Sequence, residues 1–180
     1  MGNSGLSTGS ILRGLQIRMA IPLTGSLICQ TPMLTFKPAW EAYFYEALTQ
    51  FHADNVMYME IRTTLPNLYD LEGNEFGPEE CARTYKRIND QFKRDHPDSF
   101  GARIIYAPIR LVSPEQVSAY VMTAINIRAE LGDFLAGFDL VGQEDKGRPL
   151  EAFVEELVNV PSNMNVFYHS GETNWYGTTS

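Results

Sequence analysis

His169 and Glu172 stand three positions apart in Tyr168-His169-Ser170-Gly171-Glu172-Thr173. An imidazole there presents a ring nitrogen to a metal, and a carboxyl three positions on serves the same ligand as acid or base. Gly171 between them lets the backbone turn tightly enough for both side chains to face one pocket. The same spacing also fits a surface histidine in a loop whose glutamate caps the next segment. Asp139 is the second candidate, because it interrupts the apolar run Phe134 to Val141 (FLAGFDLV). An unpaired carboxylate in such a run is costly, so Asp139 is expected to meet a His or Arg, to pair with a neighbouring strand, or to lie at the mouth of a site. Gly142 comes next, and either brings a backbone amide close to a ligand or simply turns the chain. Glu60 and Arg62 alternate along Val56 to Thr63 (VMYMEIRT) and are further mouth candidates, with an internal salt bridge as the rival reading. His52, His96 and the run Gln143-Glu144-Asp145-Lys146 read as solvated.

Position along the chain decides whether these groups meet. Trp40, Tyr43, Phe44, Ala47, Leu48 and Phe51 recur at helical spacing and predict a helix over 38–54. The short β-prone stretch 56–63 predicts a strand. Cys81, Tyr85, Ile88 and Phe92 mark a second helix over 78–94, and RIIYAPIR (103–110) a second strand. Ser113, Pro114 and Gln116 form a capping signal ahead of Val117, Tyr120, Val121, Ala124 and Leu131. A third strand over 134–141, a short helix over 149–158 and a fourth strand over 165–169 complete the pattern. Strands nearly all apolar on both faces, alternating with helices, predict parallel βα units, doubly wound or barrel. In either architecture the functional groups gather at the carboxyl ends of the strands. Those ends carry Glu60 and Arg62, Arg110, Asp139 and Gly142, and His169 and Glu172.

The composition bounds the rest. The 180 residues carry 14 Lys plus Arg and 22 Asp plus Glu, a net charge of 14 − 22 = −8. That balance argues against nucleic acid, whose binding rests on clustered Lys and Arg, and leaves small or neutral ligands. No apolar run approaches the ~20 residues of a membrane-spanning helix. Cys29 and Cys81 are the two cysteines; they make no disulfide framework and no CxxC metal knuckle, and one bridge between them stays open. Residues 1–30 read as an unplaced, flexible leader without a clear signal peptide, since Pro22, Thr24, Gly25 and Ser26 break its hydrophobic stretch. Residues 31–180 read as one domain.

The segment 168–173 resembles the H-A-G-E-T segment of the adenosine and AMP deaminases. Residues 137–145 (GFDLVGQED) resemble the strand before it in the same superfamily. Residues 54–62 (DNVMYMEIR) and Trp175 narrow the similarity to the adenosine deaminase-related growth factor branch. The resemblance runs from about Pro32 to the C-terminus. It implies a partial TIM (β/α)8 barrel of about four βα units, the second to fifth, without the first strand and the C-terminal strands. It implies zinc-dependent deamination of adenosine, or a related nucleoside, to inosine and ammonia. His169 would bind zinc, Glu172 would protonate the purine ring, and the Gly142 amide would donate to another ring nitrogen. An extracellular location and a homodimer of the complete protein are implied as well; the alternative role is a non-catalytic extracellular binding protein of growth-factor type. The departures are specific. The family's metal site opens with an H-x-H pair that does not occur in this chain, and its later S-x-D-D-P segment is absent too. Ser170 stands where the family has Ala; Cys81 and Ile109 stand near positions where the branch has Trp and His. The chain alone is therefore expected not to hold the family's catalytic zinc and to turn over nothing.

Overall fold

The protein is described by a computed structural model covering residues 34–144, 146 and 148–171. The chain runs α1 (Lys37–Ala53), β1 (Tyr58–Thr63), β2 (Leu68–Tyr69), β3 (Glu75–Phe76), α2 (Pro78–Asp95), β4 (Gly101–Tyr106), α3 (Pro114–Leu131), a 3-10 turn (Gly132–Phe134), β5 (Leu135–Phe138), a second 3-10 turn (Leu150–Phe153), α4 (Val154–Leu157) and β6 (Asn165–Val166). The strands β1, β4, β5 and β6 lie side by side in that order in one sheet, and every pairing in it is parallel. β2 and β3 form a separate antiparallel pair, absent from the sequence expectation.

Local chemistry explains the helices. Ser113 caps α3 by accepting a hydrogen bond from the Gln116 amide at 3.4 Å, with Pro114 in the first turn. α2 begins with Glu79 and Glu80 and ends with Lys93 and Arg94, each pair opposing the helix dipole. Its predicted stripe of Cys81, Tyr85, Ile88 and Phe92 is buried throughout. Burial pushes the free Cys81 thiol up to about 12, so it is an inert core group; Cys29 lies outside the described residues. The core lies between the sheet and these helices, with Ile104, Leu135 and Phe138 in one buried cluster with Val117, Ala124 and Phe153. Burying a side chain the size of Phe138 contributes roughly 1.5–3 kcal/mol.

Two expectations need correction. The stripe on α1 is only partly covered: Phe44 and Leu48 are buried, whereas Tyr43 and Phe51 are exposed. β1 also departs from a strand apolar on both faces, because Tyr58, Glu60 and Arg62 alternate along it and are exposed. β1 is an edge strand of the described sheet.

The paired strands are also shorter than the apolar runs. β4 stops at Tyr106, two residues before Pro108, which has no N–H to offer a ladder. Beyond it, Ile109 and Val141 still form a parallel bridge, and the Arg110 amide donates to the Val141 carbonyl at 2.8 Å. The register between β4 and β5 slips at Ile104/Ile105, a bulge that changes how the residues beyond it face the mouth.

Candidate active site at the carboxyl end of the sheet

Asp139 directly succeeds β5 and is fully buried. Its amide donates to the Tyr106 carbonyl at 2.9 Å, extending the β4–β5 pairing by one rung. Its carboxylate has three partners. Oδ1 accepts from the Leu140 amide at 2.8 Å, and Oδ2 accepts from Arg62 Nε at 3.0 Å and faces His169 Nδ1 at 2.7 Å. Both outcomes expected of a buried aspartate thus hold together, a histidine partner and an arginine from another strand. Arg62 reaches Asp139 across β4, since β1 and β5 are not neighbours.

The pair orients the imidazole. A carboxylate that already receives two N–H donors has only acceptor capacity to offer, so His169 Nδ1 carries the proton. Nε2 is the ring nitrogen that the carboxylate does not engage. A histidine held in this way by a carboxylate is the usual state of a metal ligand.

Beneath this layer lies Phe167, whose ring sits under the Arg62 guanidinium at 5.4 Å. Gly137 makes the room. A Cβ there would fall 2.5 Å from the Asn165 carbonyl oxygen and 2.7 Å from the Phe167 ring. The glycine in FLAGFDLV is therefore a packing requirement that brings β6 close enough for His169 to reach Asp139.

A second buried network holds the loop after β6. Arg110 is fully buried; its Nη1 donates to the His169 carbonyl at 3.4 Å, and its Nη2 lies 3.4 Å from Glu144 Oε1. Glu144 Oε2 accepts from the Gly171 amide at 3.2 Å. The loop 143–146 was expected to be solvated, yet Glu144 is buried. Its place in a run of four polar residues hid it, and the one available signal was Arg110, a cation closing an apolar stretch and needing a carboxylate.

Of the other sequence candidates, Gly142 lies exposed at this end with φ +116°, a conformation that favours glycine. Glu60 does not join the cluster: it is exposed and accepts a 2.6 Å hydrogen bond from the Tyr58 hydroxyl, rather than pairing with Arg62. Glu172 lies outside the described residues. Gly171 has φ +84°, a conformation that favours glycine.

No family model matches the chain. An adenosine deaminase of Aedes albopictus is 44% identical over 149 residues, 83% of this chain and 28% of that protein. Adenosine deaminase 2 of Homo sapiens is 34% identical over 151 residues, covering 82% of the chain and 29% of its own length. The chain belongs to the adenosine deaminase superfamily. Within it, the chain falls in the adenosine deaminase-related growth factor branch, that of adenosine deaminase 2. It spans less than a third of the length of these curated relatives. Among solved structures, Arabidopsis ADAL in complex with GMP superposes with a TM-score of 0.62 at 17% identity, over 91% of this chain and 53% of that one. An adenine deaminase of Arthrobacter aurescens gives a TM-score of 0.58 at 14% identity, covering 90% of this chain and 53% of that one. These neighbours establish the fold, a partial deaminase-type barrel.

Proposed function

We propose that this chain is the second to fifth βα units of an adenosine deaminase, and that the complete barrel converts adenosine and water to inosine and ammonia. The observation that carries the reading is the Asp139–His169 pair at the carboxyl end of the sheet, in a chain 44% identical to a protein named adenosine deaminase. His169 is a metal ligand through Nε2, and Asp139 fixes its ring. Gly142 donates its amide to a purine ring nitrogen, and Glu172 delivers a proton to the ring during hydration. Arg110 and Glu144 hold the His169 and Gly171 backbone. A Burkholderia amidohydrolase of similar fold was solved with bound zinc, and zinc is the proposed metal here. A catalytic zinc takes three protein ligands. The mouth offers it one imidazole, so these residues fit a single corner of such a site and no step through zinc is derived from them. An extracellular, homodimeric protein completes the reading.

The test is adenosine turnover, measured by the fall in ultraviolet absorbance, in a full-length protein containing this segment. Activity there, its loss in Glu172→Gln, and none in the 180-residue chain alone are expected. A folded full-length protein that leaves adenosine untouched would overturn the enzyme in favour of a non-catalytic binding protein.

A further inference from the structure

His52 and His96, expected to be solvated, meet each other and Asp98 at the end of the sheet opposite His169. His52 lies in the last turn of α1, and His96 terminates α2 just before the loop into β4. Both helices run back along the sheet, so both carboxyl termini come to the amino ends of the strands. The three side chains offer one ligand atom each, all within 4.8 Å of one another. His52 Nε2 is 3.0 Å from Asp98 Oδ2, and the two imidazole rings lie 4.8 Å apart, inclined by 50°.

The rings are held by the core. His96 stacks on Phe92 at 4.4 Å, and His52 meets the same ring edge-on at 5.9 Å. Phe92 is 1% exposed, so it anchors both imidazoles to the buried side of α2. Two helix carboxyl termini converge here, and the partial negative charge at each favours a cation. Asp98 adds a full one: the hydrogen bond from His52 holds its carboxyl below the usual aspartate range. The nearby Asp95 carboxylate is engaged by the Tyr45 hydroxyl at 2.7 Å.

We propose that His52, His96 and Asp98 bind a divalent first-row transition metal, zinc foremost, at a site separate from the deaminase mouth. Two imidazoles and a carboxylate suit zinc, copper or nickel, and suit magnesium or calcium poorly, since those ions take oxygen ligands. Tetrahedral ligands at zinc distances are roughly 3.3 Å apart, within reach of small rotations of these side chains. Water completes the coordination. The ion ties the end of α1 to the loop between α2 and β4, and acts as a structural clamp.

The chain has three histidines, which makes the test compact. Zinc alone is titrated into the chelator-stripped 180-residue chain against a chromophoric competitor, and melting is recorded in parallel. One equivalent bound in the micromolar range or tighter, with a rise in Tm, is expected for the unaltered chain and for His169→Gln. Binding at least about 10-fold weaker is expected in His52→Gln, His96→Gln and Asp98→Asn. Asp98 is largely exposed, so Asp98→Asn keeps the test decisive if a histidine variant fails to fold. Binding that disappears in His169→Gln but survives in the other three would overturn the proposal, as would no binding, or tighter binding of calcium than of zinc. None of these readouts depends on adenosine turnover.

Discussion

The two ends of the sheet carry similar residues in opposite environments. At the carboxyl end, Asp139, Arg110 and Glu144 are buried, and each carboxylate is shared between partners from different elements. At the amino end, His52 and His96 are half-buried and Asp98 is mostly in water. Charges removed from solvent keep one geometry, because any displacement strands a desolvated group. Charges left in solvent hold their arrangement weakly and exchange partners freely. The carboxyl end is therefore built as a fixed frame for chemistry, and the amino end as a place where an arriving ion does the ordering.

Breaking the buried network should produce the largest effect. Glu144→Ala removes the carboxylate beside a fully buried guanidinium and the acceptor of the Gly171 amide. Loss of one partner from a buried charge pair costs about 3–5 kcal/mol. Urea denaturation should show a loss of that order, and Glu144→Gln, which keeps an acceptor, a smaller one. Equal stability of Glu144→Ala and the unaltered chain would mean that this end is no more rigid than the other.

Asp139→Asn comes next. The amide keeps one accepting oxygen, for the Leu140 amide, and puts an NH2 donor where Oδ2 faces His169. It cannot balance Arg62, which is itself about half exposed and so retains water. A loss of roughly 1–3 kcal/mol is expected by denaturant melting. The sharper readout is His169: nitrogen NMR should show its ring leave the Nδ1–H tautomer. In the full-length protein, metal affinity should fall about 10–100-fold.

The legibility of these features tracks their physics. Apolar periodicity announced α2 completely, because all four of its stripe residues face one core. It overstated α1, whose stripe continues past the area that the sheet covers. Asp139 was legible as a carboxylate in need of a partner, and His169 through its motif, but their meeting was not, since it depends on Gly137 bringing β6 close. Glu144 was hidden because a polar run looks the same whether or not one member turns inward. The His52–His96–Asp98 cluster was hidden for a different reason. Its members come from two helix ends 44 residues apart, 52 to 96, which only the packing of α1 on α2 unites.

The smallest expected effect is at the exposed end, and pH gives its sign. The hydrogen bond from His52 lowers the folded-state pKa of Asp98 below its unfolded value. A carboxyl with a depressed folded pKa contributes stability above the unfolded value, and that contribution fades as pH falls through the folded one. The metal-free chain should therefore be slightly more stable than Asp98→Asn at pH 7, by at most about 2 °C in Tm. Salt should shrink that gap, because Asp98 lies within reach of counterions. On acidification below the usual aspartate range near 3.9 the two melting temperatures should converge, since the unaltered carboxyl then becomes neutral as well. Glu144→Ala, compared at pH 7 across the same range of salt, should keep its full deficit, because buried pairs are screened much less. A salt response of equal size at both ends would remove the distinction between them.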